Sequence, residues 1–508
     1  MTAPPRPQPV LPASRQWPLH TTTSCRAIEA QAAATVPPHA LMARAGEAVA
    51  RLALALVPHA RTVEVWCGPG NNGGDGFVAA TLLRAWGKDA RIVLVGDPAR
   101  APDDARHAWQ RARDVGVPVL DGLPERVTSD VALDALLGLG VNRPLSAALA
   151  AAVGRLNDGA TPILAVDLPS GLHSDTGVVQ GVAVRAAHTL ALLTLKPGLF
   201  TAEGRDHAGR VWFDDLSVPQ NASRIVLAGP ESVRGLSGAR RHAQHKGSFG
   251  DVMVIGGASG LAGAAVLAAR AALAAGAGRV YLGLLAGMEP GWFEPSRPEL
   301  MSRTVAQLMV PAALAEATVV CGCGGGSAVR DVLPTVLHHA KRLVLDADGL
   351  NTVAADAALQ RALRARATRG LATVLTPHPL EAARLLSLQS RDVQADRLDA
   401  AHRLVDATQC TVLLKGSGTV VAAPGQITSI NPTGNARLAT AGSGDVLAGW
   451  LGGWWAAHAE ATSAHAVAQA AAWLHGAAVD QAPAAGPLLA SHLIDALADT
   501  RDALQRMR

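Results

Sequence analysis

Aromatic and charged residues are scarce in this sequence. Phe, Trp and Tyr make up 3% of its 508 residues, and Asp, Glu, Lys and Arg make up 17%. The formal net charge of +4 excludes the strong basic field of a typical nucleic-acid-binding protein, so we expect no nucleic-acid partner. Because 49% of the residues are hydrophobic and 51 are glycine, the sequence predicts folded domains with cores of Ala, Val and Leu. The length predicts about two to four domains.

Cysteine and long hydrophobic runs are also scarce. Two of the five cysteines form the sequence Cys321-Gly322-Cys323, which is neither a CxxC redox pair nor a zinc motif and favours a reducing, cytoplasmic location. No hydrophobic run reaches about 18 residues without a charge or a cluster of glycines, so we expect no membrane partner. Residues 1–20 contain six prolines and no hydrophobic signal segment, which predicts a disordered tail.

Short β-branched runs alternate with Ala-rich stretches along both halves of the chain, which predicts parallel sheets covered by helices. The segment 217–241, rich in Pro and Gly with a charged end, predicts a domain boundary near residue 222. We therefore expect one α/β domain over residues 21–222 and another over residues 223–508. The expected strands are 62–67, 91–96, 131–137, 162–167, 189–194 and 211–214, then 252–256, 280–284, 319–321, 343–346, 373–375 and 411–414.

Ligands of such sheets bind beyond the carboxyl ends of the strands. The first strand is followed by residues 68–76 (GPGNNGGDG), with a helix expected to begin near Phe77. Five glycines in nine positions allow backbone amides to approach a ligand closely, and a helix start favours an anion. An ordinary Gly-rich turn is the alternative. However, Asn71, Asn72 and Asp75 supply oxygen atoms that suit a hard cation or hydroxyl groups.

Two other strand ends of the first half carry acidic residues. Asp134 lies within an expected strand ahead of Gly138, and Asp167 ends another strand, with Ser170 three residues later. A single Asp at a strand end is usually a helix cap. Three acidic strand ends in one sheet, each beside glycine, indicate a ligand site.

The second half contains a candidate phosphate site. Residues 439–445 (ATAGSGD) precede an expected helix, and small residues at a helix start expose several amides to one point. Asp445 would lie in the first turn, where it can take a proton from a hydroxyl that attacks phosphorus. Asp445 as an ordinary helix-stabilising acid is the alternative.

Further polar residues end other strands of the second half. Lys415 precedes the turn 416–419, so the lysine can reach nucleotide phosphates while the Gly backbone holds ribose or adenine. An exposed lysine without a ligand is the alternative. Residues 345–351 (LDADGLN) and His378, which lies between two prolines, complete this set. For His378 a structural hydrogen bond and a ligand contact stay equally open.

With these motifs the sequence resembles the bifunctional NAD(P)H-hydrate repair enzymes. In that family a Rossmann-like epimerase is fused to a ribokinase-like dehydratase that depends on ADP or ATP. The resemblance extends from about Arg26 to the last helices. Its motifs are residues 71–76, 134–140, 166–171 and 196–198 in the first half, and 245–247, 344–351, 375–379, 415–419 and 431–449 in the second.

The resemblance implies roles for residues of the first half. Asn72, Asp134 and Ser170 match the potassium ligands of the epimerase. Asp167 matches the catalytic carboxylate that contacts the hydrated nicotinamide. The implied substrate loops are Asn71, Asn72, Gly73, Gly74 and Asp75, and Gly138, Leu139, Gly140, Val141, Asn142, Arg143 and Pro144.

For the second half the resemblance implies that Asp445 is the catalytic base and that Ala264, Gly324 and His378 contact the substrate. ADP or ATP would bind with Mg²⁺. The implied substrates are NADHX and NADPHX: one site epimerises the R and S forms, and the other phosphorylates the ring hydroxyl of the S form and eliminates phosphate. The family also implies a homo-oligomer. The implied nucleotide site consists of Lys415, Gly416, Ser417, Gly418, Thr419 and Gly444.

The sequence departs from the family pattern at three places. Gly-Pro-Gly-Leu-Gly is replaced by GCGGG at residues 322–326, which predicts a more flexible loop beside Gly324. Leu380 replaces a glycine, and residues 436–438 (ARL) replace Pro-Gly-Met. Two alternative functions stay open: a ribokinase-type small-molecule kinase with an accessory domain, and an N-terminal half that binds its ligand without turnover.

Overall fold

The computed structural model describes residues 7–220, 222–236, 241–288, 292–459, 462–483, 486 and 488–506. The chain divides into two compact units, Met1–Leu227 and Ala228–Arg508, here called unit 1 and unit 2. This division lies a few residues after the boundary expected at residue 222. No helix among the described residues is both long enough and apolar enough to cross a membrane.

Unit 1 contains a sheet with the strand order β1-β9-β8-β7-β6-β3-β4-β5. All neighbours from β9 to β5 are parallel, and β1 is antiparallel to β9. Two further strands of unit 1, β2 and β10, lie outside this sheet and pair with each other in antiparallel orientation. The strands are β1 (Gln8–Pro9), β2 (Trp17–Leu19), β3 (Thr62–Cys67), β4 (Asp89–Leu94), β5 (Val119–Leu120), β6 (Val131–Ala135), β7 (Ile163–Val166), β8 (His188–Leu192), β9 (Arg210–Asp214) and β10 (Ile225–Leu227).

Helices cover both faces of this sheet. Val63 and Val65 of β3 pack in one hydrophobic cluster with α2, α3 and α4, whereas Trp66 packs in a second cluster with α5. Alternate residues of a buried parallel strand therefore contact different helical layers. The helices are α1 (Thr22–Ala33), α2 (Ala40–Leu56), α3 (Asn71–Ala85), α4 (Asp103–Asp114), α5 (Ala147–Asn157) and α6 (Gly204–His207).

The prediction of a disordered tail over residues 1–20 is wrong for residues 7–20. Gln8 and Pro9 pair with β9, and Trp17 lies in β2. Trp17 is buried and its ring contacts Phe213 edge-on, with 5.6 Å between the ring centroids. Proline is tolerated on edge strands, so a high proline count did not prevent pairing here. Residues 1–6 lie outside the described part of the chain.

The strands of unit 2 have the order β13-β12-β11-β14-β15-β16-β17-β18-β19. Neighbours from β13 to β17 are parallel, and β18 is antiparallel to both β17 and β19. The strands are β11 (Asp251–Gly256), β12 (Arg279–Leu284), β13 (Met301–Ser302), β14 (Thr318–Cys321), β15 (Arg342–Leu345), β16 (Ala372–Leu375), β17 (Thr411–Leu414), β18 (Val420–Ala422) and β19 (Thr428–Ile430).

The core of unit 2 lies where α8, α17, α18 and α19 pack on the sheet. Gly449 and Gly453 let α17 approach α8, because a Cβ atom on either glycine would lie 2.0 or 2.2 Å from a carbonyl oxygen of α8. The helices are α7 (Glu231–Arg234), α8 (Ala262–Ala274), α9 (Val305–Leu308), α10 (Pro311–Glu316), α11 (Val329–His339), α12 (Ala347–Ala354), α13 (Ala357–Thr368), α14 (Pro379–Leu386), α15 (Ser390–Ala395), α16 (Arg397–Thr408), α17 (Ser443–Ala457), α18 (Ala464–Gln481) and α19 (Ala490–Arg506).

Candidate active sites

In unit 1 the strand order reverses between β3 and β6, and open parallel sheets bind ligands beyond the strand ends at such a reversal. The segments that follow β3 and β6 border a cavity of about 940 Å³. Gly73, Gly74 and Asn142 are not among its lining residues. The predicted substrate residues that line it are Asn71, Asn72, Asp75, Gly138, Leu139, Gly140, Val141, Arg143, Pro144 and Asp167.

The helix after β3 begins at Asn71, earlier than the start near Phe77 that we expected. Two glycines in its first turns serve packing. A Cβ atom on Gly73 would lie 2.0 Å from the carbonyl oxygen of Gly68, and one on Gly74 would lie 2.5 Å from the Cε atom of Met42. The Gly-rich segment is therefore largely helical, and its polar side chains face the cavity from the helix N-terminus.

Asp134 and Ser170, two predicted potassium ligands, form a fully buried pair. Ser170 Oγ donates to Asp134 Oδ1 at 2.6 Å, and the Ser170 amide donates to Oδ2 at 2.8 Å. Burial raises the pKa of Asp134 to about 6, although these hydrogen bonds oppose the shift. A cation beside Asp134 would compensate its buried charge.

Asn72, the third predicted ligand, is brought to the same loop. A Cβ atom on Gly138 would lie 3.2 Å from Asn72 Oδ1, and the Leu137 amide donates to Ser170 Oγ at 2.8 Å. The buried Nδ2 atom of Asn72 has no hydrogen-bond partner within the described part of the chain. Hard oxygen donors around an uncompensated carboxylate fit a monovalent cation such as K⁺.

Asp167 is held at the cavity by a buried lysine that sequence reasoning did not select. Its backbone has φ +67°, a left-handed conformation that is costly for a residue with a side chain and is often found at functional sites. Asp167 Oδ1 accepts hydrogen bonds from Lys196 Nζ and, at 3.1 Å, from the Leu192 amide. Lys196 is 1% exposed and lines the cavity. The motif KPG at 196–198 was the available signal for Lys196.

Two more carboxyl groups line this cavity near Asp167. Burial raises the pKa of Asp75 well above its usual value, and the charges of Asp167 and Glu29 add to the shift. Burial also raises the pKa of Glu29, which sequence reasoning missed because it lies on α1, outside every motif. A buried carboxyl group whose pKa is raised can hold a proton and donate it to a leaving group.

In unit 2 the strand order reverses between β11 and β14. The loops after these two strands are joined by hydrogen bonds, because the Ala258 amide donates to the carbonyl oxygen of Gly324 at 2.7 Å. Gly324 has φ +58°, and a Cβ atom there would lie 2.9 Å from the Cβ atom of Ala264. The structure therefore brings together Ala264 and Gly324. The loop is also tied to α12, since the Gly326 amide donates to Asp348 Oδ2 at 2.8 Å.

Asp445 lies in the first turn of α17, beside Cys323 and Asp346. The sulfur atom and one carboxylate oxygen of each Asp lie within 4.8 Å of one another. Burial raises the pKa of Asp445 to about 6, and the charge of Asp346 adds to this shift, whereas a hydrogen bond from Cys323 and the charge of Lys415 oppose it. A carboxyl group with a pKa near neutrality suits a general base.

Lys415 lies between this carboxylate cluster and the start of α17. Its Nζ atom donates to Asp346 Oδ1 at 2.8 Å and lies 3.3 Å from the position of a Cβ atom on Gly444. Although burial alone would lower it, the charges of Asp346 and Glu381 raise the pKa of Lys415. A lysine ammonium at a helix N-terminus is a favourable phosphate site.

The start of α17 has the geometry expected of a phosphate site. Gly442 has φ +86° and precedes the first helical residue, Ser443. Ser443 Oγ donates to the carbonyl oxygens of Leu438 and Thr440 at 2.8 and 3.0 Å, so it is turned towards the preceding loop. The first amides of a helix have no acceptor within the helix and are free to bind an anion.

The turn after β17 is fixed by Arg397, which sequence reasoning also missed. Arg397 is 1% exposed, and its Nη2 atom donates to the carbonyl oxygens of Leu414 and Lys415 at 3.2 and 3.1 Å. Gly416 and Gly418 have φ values of +140° and +63°, and Thr419 Oγ1 donates to the Gly416 carbonyl oxygen at 3.2 Å. The predicted nucleotide residues 415–419 thus form one ordered turn, in which Ser417 is exposed.

His378 has the structural role that we considered as an alternative. Its Nδ1 atom accepts hydrogen bonds from the amides of Leu380 and Glu381 at 3.1 and 3.4 Å and caps α14. The Lys415 amide donates to the carbonyl oxygen of Pro377 at 2.9 Å, so His378 lies next to the strand end that carries Lys415. The side chain is 45% exposed, and its contact with substrate stays a prediction.

Comparison with known proteins covers both units. A family model described as NAD(P)H-hydrate dehydratase matches residues 252–499, and one described as YjeF-related protein N-terminus matches residues 38–198. The chain is 36% identical to the bifunctional NAD(P)H-hydrate repair enzyme Nnr of Escherichia coli (strain K12), over 87% of this chain and 84% of that one. It is 35% identical to the Nnr enzyme of Coxiella burnetii, over 88% of this chain and 91% of that one.

Among solved structures, the chain is similar to an ADP/ATP-dependent NAD(P)H-hydrate dehydratase from Bacillus subtilis that was co-crystallized with ATP/Mg²⁺. That protein is 28% identical, with a TM-score of 0.42 over 52% of this chain and 94% of that one. The predicted α/β fold class is confirmed for both units. On the matches to the relatives over most of its length, the chain belongs to the family of bifunctional NAD(P)H-hydrate repair enzymes.

Proposed function

We propose that this chain repairs hydrated NADH and NADPH at two active sites. Unit 1 interconverts the R and S forms of NAD(P)HX, and unit 2 dehydrates the S form at the expense of ADP or ATP. The observation that carries this proposal is the cluster at the start of α17. There a carboxyl group with a pKa of about 6, Asp445, lies beside the Lys415 ammonium at the N-terminus of a helix.

The dehydration needs an activated leaving group, because the hydroxyl on a reduced nicotinamide ring departs poorly at neutral pH. Asp445 takes the hydroxyl proton while the hydroxyl oxygen attacks the terminal phosphorus of the bound magnesium nucleotide. The bond from phosphorus to the bridging oxygen breaks, and the shortened nucleotide leaves. The ring nitrogen then assists the loss of phosphate, and a proton lost from the neighbouring carbon restores the double bond.

The residues around Asp445 stabilise the charge that moves during this transfer. Lys415 Nζ, beside Gly444 at the N-terminus of α17, would face the migrating phosphate, where preorganised donors lower the barrier. The turn 415–419, held by Arg397, supports the adenine nucleotide. Ala264 and Gly324, which meet at the strand-order reversal, contact the hydrated ring. Only one epimer of the hydrate presents its hydroxyl in line with the phosphorus.

Epimerisation in unit 1 requires the ring hydroxyl to leave as water and a water molecule to add to the opposite face. Departure needs a proton donor, which Asp75 supplies because burial raises its pKa well above the usual value. Addition needs a base, and Asp167, oriented by Lys196, accepts a proton from the attacking water molecule. Exchange of these two roles makes the reaction reversible.

A potassium ion in unit 1 would be held by Asn72, Asp134 and Ser170. The ion would supply charge compensation for the Asp134 carboxylate. The three residues surround the loop 136–138, which borders the cavity, so they position the substrate loop. A homo-oligomeric assembly stays a prediction. A cytoplasmic location is proposed on the five buried, free cysteines.

The direct test incubates the purified chain with NADH hydrate and either ADP or ATP and follows absorbance at about 340 nm, where the reduced nicotinamide absorbs. We expect the absorbance to return with both hydrate epimers. Accumulation of a stable phosphorylated substrate without NADH would instead support the ribokinase-type kinase. If the wild type and Asp167→Ala both interconvert the epimers only at the spontaneous rate, unit 1 binds its ligand without turnover.

A further inference from the structure

Cys323 occupies the position at which the resemblance described above implies proline, and its side chain lies beside the proposed catalytic base. The residue is fully buried. Its Sγ atom can donate to Asp346 Oδ2 at 3.9 Å, and it also lies within 4.8 Å of a carboxylate oxygen of Asp445. A proline side chain has no proton to donate at this point. The substitution therefore does more than loosen a Gly-rich loop, because it places a thiol against two buried carboxylates.

We propose that Cys323 is a positioning residue for Asp445, whose carboxylate accepts the thiol proton in a hydrogen bond and is thereby held ionised and aimed at the substrate hydroxyl. This inference rests on the proposed dehydration in unit 2. It adds a residue of this chain to that site.

The thiol acts as a neutral donor. Burial raises the pKa of Cys323 well above its usual value, and the charges of Asp346 and Asp445 add to the shift. A thiol has one proton and can donate to only one of the two carboxylates. Asp346 Oδ1 already accepts hydrogen bonds from Lys415 at 2.8 Å and Thr376 at 2.7 Å. Donation to Asp445, in place of the 3.9 Å contact with Asp346 Oδ2, therefore stabilises the less compensated charge.

The groups that face Asp445 come from several elements. Asp346 and Asp348 lie at the start of α12, and Lys415 follows β17. His475 of α18 contacts the carbonyl oxygen of Ser443 at 3.1 Å, and burial lowers the pKa of His475 to about 4, so this ring is neutral at neutral pH. Burial and the charges of Asp346 and Asp348 raise the pKa of Asp445. Without the Cys323 hydrogen bond, only the charge of Lys415 would oppose that increase.

The test is the pH profile of kcat for dehydration of NADH hydrate, measured with saturating nucleotide. In Cys323→Ala we expect the acidic limb to move to higher pH by roughly half a unit or more, because the ionised base has lost a donor. The rate on the alkaline plateau should change little. Cys323→Ser keeps a donor and should keep the limb at or below its wild-type position.

Cys321→Ala is the matched control. This cysteine is also buried, two residues earlier at the end of β14, and burial alone accounts for its raised pKa. Its removal should leave the acidic limb in place. Cys323→Pro restores the residue of the family pattern and should behave like Cys323→Ala. Nucleotide binding shows whether each variant is folded. If Cys323→Ala is not folded, the acidic limb of Cys323→Pro tests the inference in its place.

Two results would overturn the inference. One is an acidic limb in Cys323→Ala and Cys323→Pro that coincides with the wild type; the other is an equal shift in the alanine and serine variants, since packing alone would produce it. If the wild type dehydrates NADH hydrate and Asp445→Asn does not, either result removes the role of Cys323 and leaves the proposed function intact. A wild type without dehydration at any pH would overturn both.

Discussion

The guanidinium of Arg397 occupies the space into which a side chain on Gly416 would project: a Cβ atom there would lie 2.8 Å from Arg397 Nη1. Arg397 also donates hydrogen bonds to the carbonyl oxygens of residues 414 and 415, and these contacts hold the turn that follows Lys415 in its observed conformation. The absence of a side chain at residue 416 is thus required by a buried contact as well as by its φ of +140°.

Gly416→Ala should displace this turn and weaken nucleotide binding. We expect the KM for ADP or ATP to rise by roughly tenfold to a hundredfold, the scale of a small misplacement of a binding group. Gly425→Ala is the control, because Gly425 has φ +68° but no neighbouring atom within 4 Å of the added Cβ. Equal effects of the two substitutions would show that backbone strain alone, rather than the contact with Arg397, is responsible.

Asp445→Asn should remove the base and leave the phosphate site. We expect dehydration to fall by about two to four orders of magnitude, the usual contribution of a positioned general base. Nucleotide binding, measured by calorimetry, should survive, and epimerisation by unit 1 should be unchanged. Retained dehydration would show that Asp445 only stabilises the start of α17.

Dehydration should be lost in acid. The base must be ionised, and burial raises the pKa of Asp445 to about 6, so kcat should fall as the pH decreases through about 6. An unshifted carboxyl group would retain activity to about pH 4. The measurement is kcat between pH 5 and 8, with nucleotide binding followed in parallel. Constant activity down to pH 5 would contradict the assignment.

Potassium should stabilise unit 1 more at pH 7.5 than at pH 5. Burial raises the pKa of Asp134 from 3.8 to about 6, so the folded state binds the proton more tightly than the unfolded state. Stability therefore decreases as the pH rises from about 4 to about 6, by about 3 kcal/mol at 1.36 kcal/mol per unit. A cation beside the ionised carboxylate offsets this cost.

The measurement is the melting temperature of the full chain in potassium chloride and in tetramethylammonium chloride. Asp134→Asn should abolish the difference between the salts, because an amide has no charge to compensate. Equal melting temperatures of the wild-type chain at pH 7.5 would exclude a potassium site at these residues.

Lys196→Ala should destabilise unit 1 and abolish epimerisation. It leaves the Asp167 carboxylate buried without its partner, which typically costs about 3 to 5 kcal/mol. The double variant Lys196→Met, Asp167→Asn removes both charges and should regain much of the stability without regaining activity. Thermal unfolding and epimer interconversion measured by chromatography distinguish the two effects. A single variant as stable as the wild type would contradict the buried pair.

Much of the fold follows from local patterns. Runs such as 62–67 and 411–414 are rich in β-branched and other hydrophobic residues, and they correspond to β3 and β17 residue for residue. The short antiparallel strands β18 and β19 and the edge strand β1 were missed, because two or three residues carry no periodicity and pair only through distant partners. The helix start at Asn71 was missed because consecutive glycines normally disfavour a helix.

The site residues divide in the same way. Asp134, Asp167 and Asp445 are visible as acidic residues beside glycine. Arg397 is not visible, because an arginine in the first turn of an ordinary helix becomes functional only when the fold places it under a turn. For Cys323, the sequence indicates a lost proline, but only the structure places its sulfur beside Asp445.

The contact of Gly449 and Gly453 with the backbone of α8 has a further consequence. Ala264 lies near the start of α8 and Asp445 near the start of α17, so these two helices carry the proposed substrate contact and the proposed base. A methyl group on Gly449 would force the helices apart and change the distance between base and substrate without altering any residue that contacts either. A substitution deep in the interior can therefore inactivate the proposed dehydratase site at a residue that contacts neither nucleotide nor substrate.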